Sequence, residues 1–161
     1  MNKKINVSLK TKVMITTEEK TTLKEIIANY SIASDAKDVQ AHMQYYAKNG
    51  YIDGGMKSKP KNAGMEEDLA QMFAMEGTLK RHFAMNHRFS KDQDAIVVDY
   101  LLLVVEGEQL PNVIATAEVK DRFIKEDGAW KISVHSINID PAMFNLLKQQ
   151  DTGINSDAFN A

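Results

Sequence analysis

From Thr17 onward the apolar positions of the chain fall into two regimes. Leu23, Ile26, Ile27 and Tyr30 recur at three- and four-residue spacing and trace one face of a helix. Glu18 and Glu19 stand where carboxylates meet the positive end of its dipole. Small and capping residues interrupt the pattern over 33–38, and Asp38 is placed to cap a second helix carrying Val39, Met43 and Tyr46. Residues 49–55 read as a turn into a short strand, and a polar loop with Pro60 leads to Gly64 and a third helix over roughly 65–75. After Gly77 the period drops to two: β-branched and aromatic residues alternate with polar ones over about 79–89, 95–107, 113–125 and 130–139. The connections at 91–94, 106–108 and 126–128 read as hairpin turns.

Three helices followed by an antiparallel meander predict an α+β domain, its helices covering one face of a curved sheet. Strands that alternate, instead of running uniformly apolar, disfavour a dinucleotide-binding βαβ fold. With 161 residues, 43% of them hydrophobic, the expectation is one domain over 17–140, preceded by an arm at 1–16 and followed by a tail at 141–161.

Charge narrows the partners. The 20 basic and 22 acidic residues are interspersed and the net charge is -2, so nothing argues for nucleic acid. No apolar run approaches the length of a membrane span, and Ser8, Lys10, Thr11 and Lys12 interrupt what would be the apolar core of a signal peptide. The absence of cysteine removes thiolate chemistry and Cys-based metal sites and fits a reducing cytosol as well as a cysteine-free exported protein. A cytoplasmic location is the expectation. His42, His87 and His135 are spread over a helix and two strands with no common face and no acidic spacing of a metal site, so neither metal nor organic cofactor is expected.

Several segments carry a likeness to a known family when taken in order. They are Ile26-Ile27-Ala28-Asn29-Tyr30, the Asp35-Ala36-Lys37-Asp38 joint, Gly64 before the third helix, Lys80-Arg81-His82-Phe83-Ala84-Met85-Asn86, and Glu126-Asp127-Gly128-Ala129-Trp130-Lys131-Ile132. Over about 17–140 the chain resembles the SnoaL-like branch of the nuclear transport factor 2-like superfamily. The resemblance implies a cone-shaped domain in which a curved sheet and capping helices enclose a small apolar pocket. Its members include dehydratases, ketosteroid isomerases, polyketide cyclases and noncatalytic binders, so kinship alone does not choose a reaction. In the dehydratase-like members a tyrosine and an aspartate near the end of the first helix act with a histidine on the following strand. The matching residues are Tyr30, Asp35 and His82. Some members use a second acid on a later strand, a role in which spacing does not place Asp99 or its neighbours.

A carboxylate that orients an imidazole, with a phenol nearby, is the equipment for proton transfer beside a carbonyl or hydroxyl. Each residue also has a structural reading: His82 as a satisfied interior histidine, Asp35 as a capping residue, Tyr30 as core with a partnered hydroxyl. Strict alternation puts His82, Ala84, Asn86 and Arg88 on one face of their strand and Phe83, Met85, His87 and Phe89 on the other. Asn86, Tyr51 and Met72 are the residues expected to touch a ligand, Asn86 through its amide and Met72 through an adaptable thioether. The outward set Phe83, Met85 and Phe89 points to a homodimer through the convex sheet face.

The leading expectation is a cofactor-independent lyase, isomerase or cyclase acting on a small apolar, ring-containing molecule. The alternative is a noncatalytic module that binds a hydrophobic ligand or serves as a dimeric interaction domain. A third possibility is a structural dimer with a filled cone, against which the small residues Ala84 and Ala117 speak.

Overall fold

The computed structural model describes residues 14–54, 57–77 and 79–143. The predicted arm, apart from Met14, Ile15 and Thr16, and the tail beyond Met143 lie outside the described residues.

The first helix, α1 (Thr17–Asp35), begins at a reciprocal cap: the Thr16 hydroxyl accepts from the Glu19 N–H at 3.1 Å and the Glu19 carboxylate accepts from the Thr16 N–H at 2.9 Å. Asp38 caps α2 (Val39–Met43) by accepting from the Ala41 N–H at 2.9 Å. Strand β1 (Tyr46–Asp53), a short 3-10 turn at Lys61–Ala63 and α3 (Met65–Met75) follow. Then come β2 (Lys80–Asp92), β3 (Ala95–Glu106), β4 (Asn112–Glu126) and β5 (Ala129–Ile139). The sheet order is β1-β5-β4-β3-β2. The last four strands form the antiparallel meander read from the sequence, and β1 joins it parallel to β5. A Cβ at Gly50 would lie 2.4 Å from the Ile132 carbonyl oxygen, so only glycine lets β1 close on β5 there.

Helices and sheet share one core. Leu23 and Ile27 of α1, Met65, Leu69 and Phe73 of α3, and the inward residues Val98, Leu102, Val104, Val119 and Phe123 are all buried within it. Burial of such side chains stabilises by roughly 1.5–3 kcal/mol each, which is what holds three short helices to a sheet.

Three one-residue bulges interrupt the pleat. Opposite Tyr100, β2 carries the extra residue between Met85 and Arg88; β4 carries one at Ile114; β5 carries one at Ser133. Each insertion bends its strand and inverts the facing of everything beyond it.

The first bulge corrects two expectations. Asn86 adopts a left-handed backbone (φ 58°), after which His87 and Phe89 turn toward the core while Asn86 and Arg88 face outward. Asn86 therefore does not share the face of His82, and Phe89 does not belong to the outward apolar set, which consists of Phe83, Met85 and Leu101. Because the left-handed conformation costs a residue with a Cβ about 1–2 kcal/mol and asparagine tolerates it best, Asn86→Val should destabilise by about that amount. Asn86→Gly should stay within about 0.5 kcal/mol of wild type. Urea denaturation of the two variants checks this, and equal stabilities would contradict the bulge.

Candidate functional site

The imidazoles of two carboxylate–imidazole pairs border a single cavity. The first pair is built at the junction of helix and sheet edge. Asp35 is the last residue of α1, and β2 lies at the edge of the sheet, where backbone N–H groups lack a neighbouring strand. The Asp35 carboxylate fills that gap, accepting from the His82 backbone N–H at 3.3 Å and from the His82 ring Nδ1 at 2.6 Å. Two contacts from one carboxylate fix both the position and the tautomer of the ring, leaving Nε2 as its proton-accepting atom. Burial pushes the His82 imidazole below its ordinary value; the hydrogen bond to Asp35 opposes that shift, and the charge of Lys80 adds to it. The ring is therefore neutral near pH 7.

The second pair lies deeper, on three adjacent strands. Asp121 of β4 is fully buried and sits directly across from His135 of β5, whose Nδ1 is 2.5 Å from Oδ1 of Asp121. Tyr100 of β3 donates its hydroxyl to Oδ2 of the same carboxylate at 3.1 Å. The Tyr30 hydroxyl, arriving from α1, bonds to that of Tyr100 and lies 3.3 Å from His135 Nδ1. With its proton given to Asp121, Tyr100 has only lone pairs left for Tyr30, so Tyr30 is the donor between them. Burial above all, and then the Asp121 charge, raise both phenols well above their ordinary value and keep them protonated.

Tyr30, His82, His135, Ser31, Ser34 and His42 all border a cavity of about 190 Å³ whose remaining wall is largely apolar, with Ile52, Leu69, Met72, Phe73 and Ala117 among its residues. A cavity of about 150 Å³ is known to admit benzene, so this one fits a single ring or a compact fused pair. A larger hollow of about 890 Å³ lies along the outward side chains of the sheet, among Arg88, Asp99, Glu118 and Lys120. No histidine borders it, and its alternating charges suit solvent better than an apolar ligand.

The predicted residues are thus distributed unevenly. Asp35 and His82 are in contact; Tyr30 borders the same cavity as His82 but bonds to the Tyr100–Asp121–His135 group instead of to Asp35, which does not line that cavity. Met72 lines the cavity. Tyr51 does not: on β1 it alternates with Ile52, which points inward, and its own ring faces outward and is partly exposed. Asn86 borders the outer hollow, for the reason given by its bulge. Asp99 is also outward, paired with Lys120 at 3.7 Å.

Of His42, His87 and His135, read as lacking a common face, His42 and His135 border one cavity, while His87 turns to the inner side of the sheet without bordering it. The Ser133 bulge, held by its hydroxyl donating to the Arg122 carbonyl at 2.9 Å, brings His135 round to the inner face. The Asn86 bulge does the same for His87, which stacks on Tyr100 at 5.3 Å between centroids. The acid on a later strand is Asp121. Alternation alone could have found it, since Ala117, Val119, Asp121 and Phe123 occupy the inward parity of β4 while Glu118 and Lys120 point out.

His42 is the most strongly perturbed imidazole, lowered to about 4 chiefly by burial. An unfolded imidazole titrates near 6.5, so between pH 6.5 and about 4 the unfolded chain binds a proton that the native protein refuses. Native stability should accordingly hold above pH 6.5 and fall as the pH drops through that window, by at most about 3 kcal/mol from this residue. Denaturation midpoints measured across the window should fall less steeply in His42→Phe; parallel curves would contradict the burial of a neutral ring.

The matches to known proteins agree with this architecture. The chain resembles a protein of unknown function with a cystatin-like fold from Nostoc punctiforme, at 26% identity and a TM-score of 0.73, over 81% of this chain and 98% of that one. It is similar in fold to a protein provisionally named scytalone dehydratase from Novosphingobium aromaticivorans (13% identity, TM-score 0.64, 76% and 85% covered). It is likewise similar to ActVI-ORFA from Streptomyces coelicolor (15% identity, TM-score 0.67, 75% and 97% covered). Sequence comparison with curated proteins gives no match. The model of the SnoaL-like domain matches residues 16–135, which takes in α1, both carboxylate–imidazole pairs and the cavity wall between them, and the chain belongs to that family.

Proposed function

We propose that the protein is a cofactor-independent acid/base enzyme that moves a proton on a small ring-containing molecule held in the cavity. The observation that carries this reading is the His82 ring on the wall of a cavity of about 190 Å³, held by Asp35 at 2.6 Å. In this reading the neutral His82 accepts at Nε2 a proton from the carbon beside a substrate carbonyl, while Asp35 stabilises the imidazolium that forms. The same ring then returns the proton, to another carbon in an isomerisation or to a departing hydroxyl in the elimination of water. Tyr30, protonated throughout, holds the substrate oxygen by exchanging its Tyr100 partner for it. The likeness in fold to a provisionally named scytalone dehydratase supports a lyase among these outcomes.

A second copy of the chain is part of this proposal. Phe83, Met85 and Leu101 form an outward apolar set, 41–48% exposed, that a sheet-to-sheet homodimer would cover.

Turnover of cyclic hydroxyketones, followed by the absorbance of a conjugated product, tests the assignment. His82→Ala and Asp35→Asn should each lower kcat/KM by about 10²–10⁴ with little change in melting temperature. In wild type the rate should hold down to below pH 6.5 and fall as His82 is protonated. In any residual activity of Asp35→Asn that fall should move to lower pH, because the lost carboxylate charge no longer favours the imidazolium. Wild-type turnover in both variants would overturn the proposal.

A further inference from the structure

Among the described residues that line the cavity, two buried polar atoms have no hydrogen-bond partner: Oε2 of Glu76, whose carboxylate is already paired with Lys80 through Oε1, and Nε2 of His42. His42 is 5% exposed and sits on α2 with Nδ1 at 3.1 Å from the carbonyl oxygen of Tyr30. A carbonyl only accepts, so Nδ1 carries the proton and Nε2 is a bare lone pair. That Nε2 is buried and has no hydrogen-bond partner. Buried acceptors are almost always satisfied, and one left open on the wall of a cavity calls for a donor from whatever fills it.

The ring cannot turn away to find a protein donor. It meets Tyr30 edge-on at 5.4 Å, Phe73 edge-on at 5.8 Å, and Tyr46 at 5.5 Å with a 37° tilt. Its tautomer and its aim are thus set before any ligand arrives, the condition under which a single hydrogen bond discriminates well. His42 also differs in kind from His82 and His135. Each of those rings is hydrogen-bonded to a carboxylate, whereas His42 is bonded to a neutral carbonyl and surrounded by aromatic rings. It is built to accept a hydrogen bond and not to accept the proton itself. Beside the apolar Ile52, Leu69, Met72 and Phe73, the cavity wall carries one carboxylate, Glu76, and it is already paired with Lys80 at 2.5 Å, so no unpaired carboxylate is left to hold an ammonium group.

We infer that the cavity takes a hydroxylated ring, a phenol or cyclic alcohol, whose O–H donates to Nε2 of His42, and that His42 is the residue selecting hydroxylated over deoxygenated rings. This deepens the proposed function, on whose reading of the cavity as a ligand site it rests, by naming a substrate feature remote from the proton-transfer pair.

The probes are 4-methylphenol and its near-isostere 1,4-dimethylbenzene, which differ only by hydroxyl against methyl. Titration calorimetry on the full chain should give a phenol-to-hydrocarbon affinity ratio that falls at least tenfold in His42→Phe and is unchanged in Tyr51→Phe, whose ring faces away from the cavity. The second measurement needs no variant. In 15N-labelled wild type, long-range 1H–15N correlation of the imidazoles should show Nε2 of His42 moving upfield with 4-methylphenol and staying with 1,4-dimethylbenzene. An unchanged ratio, or shifts at His82 or His135 with His42 unmoved, would overturn the inference while leaving the acid/base proposal standing. Failure of both probes to bind wild type would overturn the inference and the reading of the cavity together. Lost turnover in His82→Ala with His42 unresponsive would separate the two in favour of the enzyme.

Discussion

A carboxylate with no exposure to solvent, Asp121, is the constraint around which the interior is arranged. An ionised carboxylate left unpaired in an apolar core would be prohibitively unfavourable, so its oxygens must be met by donors that the fold supplies. Tyr100 comes from the strand on one side, His135 from the strand on the other, and Tyr30 closes the group from the helix above. Satisfying one side chain thereby fixes the facing of three strands and the seating of α1 on the sheet. The same requirement explains the Ser133 bulge, without which alternation from Ile132 would direct His135 to the outer face.

Asp35 solves the matching problem at the sheet edge. It is short, it ends a helix, and its carboxylate spans the gap to a backbone N–H that no strand can cover, so the cap of an edge and the orientation of a ring become one contact. The two pairs place imidazoles on a shared wall at different depths, and burial keeps that of His82 neutral near pH 7. The phenols stay protonated chiefly because they are buried, and the charge of Asp121 adds to this by resisting a second negative charge nearby. Acid and base forms thus coexist within one small cavity near neutral pH, which is the arrangement that proton transfer requires.

The architecture was legible because its signals are local. Helical spacing of Leu23, Ile27 and Tyr30, the Asp38 cap and the change to period two after Gly77 each follow from neighbours within a few residues. The bulges are not local: one extra residue is recognised only against the partner strand, and each reverses every facing beyond it. That is why Asn86 and Phe89 were assigned to the wrong faces and why His87 and His135 looked unrelated. Asp35, His82 and Tyr30 were reached through family likeness together with the chemistry of their side chains. Asp121 and Tyr100 lie at inward positions of their alternating strands, a signal the sequence carries but which alone does not mark them as a site. For His42 the sequence shows only that it lacks metal-site spacing; the significance of its Nε2 lies in the absence of a partner, which only the folded structure shows.

The central claim is that His82 removes a proton from carbon beside a carbonyl. Hydrogen–deuterium exchange at the α-carbon of 2-tetralone in D2O, followed by proton NMR, tests it without knowledge of the natural substrate. The account predicts exchange accelerated by wild type and reduced to the buffer rate in His82→Ala. Equal acceleration by both proteins would contradict it.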